Sequence, residues 1–242
     1  MNVVDYGKVV SKKTLSTLNK SINELVQIYP ERNNYWISID SKPKNNLEKF
    51  ILKTFDLYFS NIDKKSVVGF EWWIHTEYSV NQLQAHFDCD EQKRVDESVI
   101  ISPLGCTVTY LTNTKSPPTF ITNIEATGPK SHSSELPTEI IYSYPGEGKF
   151  LIFDPKYLHG VGRTKDFRIT FMYNIWNYRP ENLIECPFVE ELVTLRVEKT
   201  EAKNISTYDG TFGYIDYKIF GNEMMLKIPA KHEYYDTYHV NL

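Results

Sequence analysis

Hydrophobic positions near the start of the chain recur at helical spacing. Leu15, Leu18, Ile22, Leu25, Val26 and Tyr29 fall on one face, and Pro30 stops the pattern. Leu47, Phe50, Ile51, Phe55, Tyr58 and Phe59 repeat it. Both segments are amphipathic helices with an apolar face to bury, and backing a sheet is the expected role. From Val67 the period shortens to two. The stretch VVGFEWWIHTEY is β-branched and aromatic, and strand candidates follow at Val99 to Ser102, Cys106 to Thr112, Thr119 to Asn123 and Glu139 to Tyr144. Phe150 to Phe153 reads as a buried strand opened by Gly146 and Gly148 and closed at Asp154-Pro155. A further strand carries His159. After a turn region with Gly160, Gly162 and Asp166 comes the last long one, Phe167 to Trp176. Strands that follow helices predict an α+β, mainly β architecture, or a helix-backed barrel.

Other segments punctuate or extend this pattern. Thr127 to Pro137 is polar and turn-rich, a surface loop whose His132 is expected to be solvated, or a lid over a barrel mouth. Phe188 to Val197 fits a helix or a strand. Thr207 to Ile228 alternates between Gly210, Gly213 and Gly221, and the C-terminal region is rich in tyrosine: Tyr208, Tyr214, Tyr217, Tyr234, Tyr235 and Tyr238. The expected division is residues 1–66 as helical support, 67–180 as the strand-rich core and 181–242 as an extension packed on it, within one domain.

Composition narrows the class. With 242 residues, 41% hydrophobic and 24% charged, the chain has the make-up of an ordinary globular protein. A net charge of -4 gives no general basic footprint, which disfavours nucleic acid as a partner. No apolar run approaches a membrane span, and the first ten residues lack a signal-peptide core, so a soluble, cytoplasmic protein is expected. Cys89, Cys106 and Cys186 are odd in number and unpatterned, against a disulfide framework.

The candidate chemistry lies on the strands. On an extended Phe167–Trp176 segment, Arg168, Thr170, Met172, Asn174 and Trp176 point the same way. A buried arginine is rare unless it answers an anion; the other reading is an arginine at an exposed strand end. In LQAHFDCD, His86 and Asp88 are one residue apart, so on a strand they project from one face and can grip one metal ion; a surface His and Asp is the plainer reading. Cys89 would face away, as packing. His159 would supply a third ligand. Two histidines and one carboxylate make a facial triad with open positions, suited to non-haem Fe(II) and O2 chemistry.

His86, Asp88, His159, then Arg168 nine residues on and Thr170 beyond it resemble, in type, order and spacing, the Fe(II)- and 2-oxoglutarate-dependent oxygenase superfamily, in its prolyl-hydroxylase-like form. The resemblance covers roughly Val67 to Trp176. VTYLTNTKSPPTFITN is similar to the segment in which a Tyr-Leu pair precedes a proline-bearing turn and a strand, and YPGEGKFLIFD to the approach to the distal histidine. The usual double glycine of the proline turn is here Ser116-Pro117-Pro118. The resemblance implies a double-stranded β-helix, a jelly-roll or cupin-like barrel, with helices packed outside. It implies His86, Asp88 and His159 as iron ligands, Arg168 and Thr170 on the distal carboxylate of the cosubstrate 2-oxoglutarate, and Tyr110 as a second contact to it. With Fe(II), 2-oxoglutarate and O2, such a protein hydroxylates a C–H bond and releases succinate and CO2. Asp88 keeps the position that a halogenase would leave open.

Glu71, Trp73 and His75 share one strand face and line the substrate side if that face is inward; the alternative is that Trp72 and Trp73 are simply core. The substrate expected is peptidyl or a small molecule. Two rival classes remain. A cupin-like metalloenzyme would use the barrel and triad without needing Arg168 and Thr170, and a silent binding module would be expected to lose a ligand.

Overall fold

The computed structural model describes residues 1, 3–30, 34–78, 83–113, 118–128, 131–133, 137, 139–161, 167–202, 212–219 and 222–229, with backbone alone for 77–78, 83–84, 131 and 212–229. β1 (Val3–Lys8) leads into α1 (Lys12–Ile28), β2 (Asn34–Ser38) and α2 (Asn46–Tyr58). Next come β3 (Gly69–Tyr78), β4 (Leu83–His86), the short α3 (Glu91–Asp96), β5 (Gly105–Tyr110) and β6 (Thr119–Gly128). β7 (Ser131–His132), β8 (Ile140–Ser143), β9 (Lys149–Phe153), β10 (Tyr157–Val161) and β11 (Phe167–Trp176) complete the strand-rich part. β12 (Ile184–Glu185) and a hairpin of β13 (Phe212–Ile219) and β14 (Asn222–Pro229) follow.

The helices begin where side chains can satisfy their free N–H groups. The Ser11 hydroxyl accepts from the Thr14 N–H at 3.2 Å, and the Asn45 side chain accepts from the Glu48 N–H at 2.9 Å. Glu48 in turn accepts from the Lys44 N–H at 2.6 Å. α1 ends one residue short of Tyr29, as the proline after it predicts.

Seven strands form one sheet in the order β1-β9-β5-β11-β3-β2-β12, and β4-β10-β6-β7 form a second, with β8 also on β6. Period-two alternation sorts the larger sheet into two faces. Phe70, Trp72, Phe150, Phe171, Tyr173 and Ile175 face the helices, packing with Leu18, Ile22, Phe50, Ile51 and Phe55. The other face looks into the barrel, where Val108, Tyr110, Leu151, Phe153 and Met172 meet Ile121 of the second sheet. Two opposed, mainly antiparallel sheets with outer helices are a double-stranded β-helix, as expected. Tight apposition needs one glycine at the start of β3. A Cβ on Gly69 would sit 2.4 Å from both the Ile37 carbonyl oxygen and the Trp36 ring.

The structure departs from the sequence reading in several places. β1 and β2 extend the sheet from within residues 1–66, where the hydrophobic pattern showed helices alone. Val99 to Ser102 is not a strand: it follows Ser98 at φ 57, and the Ile101 carbonyl accepts from the Asp90 N–H at 2.9 Å rather than joining a ladder. Phe188 to Val197 is neither helix nor strand, apart from a single bridge at Val197. It is a strap along α2, whose side chains take up its carbonyl groups: Asn45 Nδ2 donates to Phe188 O at 3.1 Å, Lys49 Nζ to Val193 O at 2.8 Å and Lys53 Nζ to Leu195 O at 2.6 Å. His132 is half-buried on β7. The tyrosines Tyr208, Tyr234, Tyr235 and Tyr238 lie outside the described residues, as do Arg163, Gly162 and Ser116-Pro117. Cys89, Cys106 and Cys186 are free thiols. Among the described residues no helix is long and apolar enough to cross a membrane.

Candidate active site

β11 lies between β3 and β5, and the register aligns their inward residues in rows. Thr170 is opposite His75 and Tyr110, Met172 opposite Trp73 and Val108, and Asn174 opposite Glu71 and Cys106. Arg168 continues that face, so the barrel wall carries every polar residue that the alternation singled out.

The second sheet supplies the ligand candidates. His159 on β10 is directly opposite His86 on β4, and their rings stand 4.4 Å apart. Such close pairing depends on Gly160, where a Cβ would lie 3.1 Å from the Ala85 Cα and 3.0 Å from the Phe120 ring. β4 stops at His86, so Asp88 does not share a strand with it; this corrects the expectation of two side chains on one strand face. An irregular segment after the strand, 87–90, places Asp88 instead. Phe87 is buried, and Asp90 caps α3, accepting from the Lys93 N–H at 3.1 Å and from the Tyr178 hydroxyl at 2.7 Å. The two nearby acids are thereby engaged elsewhere, since Glu91 pairs with Arg94 at 2.6 Å.

The result is a compact donor set. His86 Nε2 lies 3.4 Å from Asp88 Oδ1, and His159 Nε2 lies 3.6 Å from Asp88 Oδ2. Ligand atoms of the three residues all fall within 4.8 Å of one another. Three observations fit a divalent metal ion here. Asp88 Oδ2 is buried with no hydrogen-bond partner, a costly condition for a carboxylate oxygen unless an ion satisfies it. Burial pushes the Asp88 acid constant up, but the His159 and His86 imidazoles outweigh it and hold the group well below the usual range, so it stays anionic. His159 Nδ1 is 2.8 Å from the Tyr157 carbonyl oxygen, which fixes a proton on Nδ1 and makes Nε2 the nitrogen that faces Asp88 and is open to a metal. The Phe153 ring meets His159 edge-on at 4.6 Å and limits its rotation.

Deeper in the barrel lies a cationic pocket. Arg168 is 6% exposed; its Nη2 donates to Thr119 Oγ1 at 3.1 Å, and its guanidinium carbon is 5.1 Å from the Tyr110 ring centroid. The Tyr110 hydroxyl reaches Thr119 Oγ1 at 2.8 Å and the Ser143 carbonyl at 3.0 Å. Thr170 is buried beside them. At the base, Lys149 Nζ contacts Asp5 Oδ2 at 2.6 Å and lies 5.6 Å from the same tyrosine ring.

Glu71, Trp73 and His75 are half-buried on the inner face of β3. Glu71 accepts from Asn34 Nδ2 at 2.7 Å and from Trp176 Nε1 at 3.2 Å, and its acid constant is raised, chiefly by burial. Burial, followed by the fields of His86 and Arg168, pushes His75 down to about 4, so it is neutral at ordinary pH. Trp72, by contrast, packs outward under the helices against Tyr35 and Phe171. Thr119, which bridges Arg168 and Tyr110, was not singled out from sequence. It opens the expected Thr119–Asn123 strand two residues before the inward Ile121, so its face could have been read there. Cys106, buried near Asp88, was likewise not singled out from sequence.

No family model matches the sequence, and no curated protein matches it. Among solved structures, a Pseudomonas putida prolyl-4-hydroxylase aligns at TM-score 0.47 and 11% identity over 73% of this chain and 93% of that one. HygX from Streptomyces hygroscopicus, with nickel and 2-oxoglutarate bound, aligns at 0.44 and 13% over 84% of this chain and 92% of that one. A prolyl hydroxylase from Trichoplax adhaerens, in complex with a hypoxia inducible factor oxygen degradation domain peptide fragment, aligns at 0.50 and 10% over 72% and 83%. Taken with the sheet order, this last likeness shows that the chain has the double-stranded β-helix fold of that prolyl hydroxylase.

Proposed function

We propose that the chain is a member of the Fe(II)- and 2-oxoglutarate-dependent oxygenases, one that hydroxylates or otherwise oxidises a C–H bond of a peptidyl or small-molecule substrate. The observation that carries this reading is the pairing of two sites in one barrel: His86 and His159 of one sheet with Asp88 beside them, and the buried Arg168 with Thr170 on the other sheet. A metal barrel without the cosubstrate has no use for the second. HygX, a neighbour by fold, is described with nickel and 2-oxoglutarate bound, and the Trichoplax enzyme with a peptide.

In this reading His86, Asp88 and His159 hold Fe(II) on one side only, which leaves positions for the cosubstrate and O2. The metal would supply O2 activation coupled to oxidative decarboxylation: one oxygen atom enters succinate, the other the substrate C–H bond, and CO2 leaves. The protein's part is placement. Arg168 answers the far carboxylate of 2-oxoglutarate by a charge-assisted contact in a site poor in water, with the Thr170 hydroxyl beside it. Tyr110 and Thr119 hold the guanidinium in place. Succinate formation from 2-oxoglutarate, measured with Fe(II) and with Fe(II) removed by chelation, tests the reading: metal-dependent succinate supports it, and its absence overturns it.

A further inference from the structure

The barrel wall is unevenly exposed. Cys106, Val108 and Tyr110 on β5, and Arg168, Thr170, Met172 and Asn174 on β11, are all buried. On the same face, Glu71, Trp73 and His75 of β3 are half-buried; of β2, Asn34 is exposed and Trp36 is buried, with the Arg179 guanidinium over its ring. The ligand cluster follows the same gradient: the His86 side chain is 47% exposed, against 8% for Asp88 and 6% for His159. Exposure on this wall therefore rises toward the row of Asn34 and Trp73, on the His86 side, and a molecule reaching the triad from there meets Glu71, Trp73 and His75.

The chemistry of that opening is one-sided. Glu71 accepts hydrogen bonds from two neutral donors, Asn34 and Trp176, and among the described residues no lysine or arginine pairs with it. Neutral donors orient a carboxylate without cancelling its charge, and each oxygen keeps acceptor capacity. Glu71 therefore meets only neutral donors on this wall. Beside it on the wall stands the half-buried indole of Trp73, a face that attracts cations.

We propose that the Glu71 carboxylate and the Trp73 indole are the substrate-recognition patch, and that the substrate presents a cationic nitrogen, ammonium or guanidinium, to them while its oxidised carbon lies over the triad. This rests on the dioxygenase reading and names the substrate class for it. A half-buried carboxylate at the mouth of a polar cavity gains from such a partner and rejects an acidic one.

The test is paramagnetic relaxation by Mn(II), placed with 2-oxoglutarate in the full chain. The probes are the N-acetyl amides of lysine and arginine, with those of norleucine and citrulline as uncharged counterparts. Side-chain protons of the cationic probes should be relaxed strongly and those of the uncharged pair weakly. In Glu71→Gln, which keeps an acceptor for Asn34 but drops the charge, affinity for the cationic probes should fall about tenfold or more. Glu71→Asp should keep the preference. Equal relaxation of charged and uncharged probes overturns the proposal, as does a Glu71→Asp protein that loses the preference as fully as Glu71→Gln. Should the parent bind Mn(II) and 2-oxoglutarate yet show no cation preference, this inference alone fails. A parent that binds neither brings down the dioxygenase reading, and the inference with it.

Discussion

Arg168 and Tyr110 are stacked, guanidinium carbon 5.1 Å from ring centroid, and Thr119 Oγ1 hydrogen-bonds to both. Thr119 and the Tyr110 ring thus fix the pose of the arginine on the barrel wall. Replacing it with methionine keeps the bulk and removes the charge. A buried charge-assisted contact of this kind is worth about 2–5 kcal/mol, so 2-oxoglutarate should bind roughly thirty-fold or more weakly. Calorimetric titration of the Mn(II)-loaded Arg168→Met protein checks this. Thr170→Val should lose less, about 1 kcal/mol for one hydroxyl. Unchanged affinity in Arg168→Met would return the chain to the cupin-like class.

For the ligand cluster, His86→Ala and His159→Ala should abolish succinate formation and lower Mn(II) affinity by more than the roughly 10–100-fold typical of losing a ligand's supporting partner. Asp88→Ala should be at least as damaging. Asp90 caps α3 and Glu91 pairs with Arg94, so neither is free to replace Asp88. Electron paramagnetic resonance of bound Mn(II) reads each variant, and full binding in Asp88→Ala would refute the assignment.

The legible part of this molecule was the part governed by local period. β11 has the bounds its alternation predicts, both long helices fall where their apolar stripes lie, and Arg168 shares its face with Thr170 and Asn174. What escaped the sequence depends on distant partners. β1 is a strand because β9 accepts it, and the Phe188 to Val197 strap lies flat because Asn45, Lys49 and Lys53 of a helix over 140 positions earlier hold its carbonyls. Asp88 was placed near His86 for the wrong local reason: the irregular segment after β4 and the Asp90 cap position it, not the strand pleat.

Gly160→Ala should separate metal-site geometry from stability. The added methyl would lie 3.1 Å from the Ala85 Cα, so β4 must shift by a few tenths of an ångström away from β10, carrying His86 with it. A displacement this small costs a stable sheet little, whereas misplacement of about 1 Å in a reacting constellation can cost about 100-fold. The expected result is a melting temperature near that of the parent with a fall of roughly tenfold or more in succinate formation. A large loss of stability with full specific activity in the folded fraction would count against it.

The last prediction concerns Glu48, 2% exposed at the start of α2, where its carboxylate accepts from the Lys44 N–H. Burial raises its acid constant from the ordinary 4.5 to about 7, only partly offset by that hydrogen bond and by the Lys44 charge. Between those two values the folded chain holds a proton that the unfolded chain has released. The stability contributed by this group is therefore fully present below about 4.5 and is lost as pH rises through about 7. The loss is on the order of 3–4 kcal/mol, since each tenfold change in an acidity constant on folding is worth about 1.4 kcal/mol. Glu48→Gln keeps the acceptor for Lys44 and has no proton to lose. Urea unfolding at pH 5.5 and pH 8.5 should show the parent weakening across the interval relative to Glu48→Gln, with the variant the more stable of the two at the higher pH. Parallel pH dependence in the two proteins would mean that Glu48 ionises in the folded state as freely as in the unfolded one.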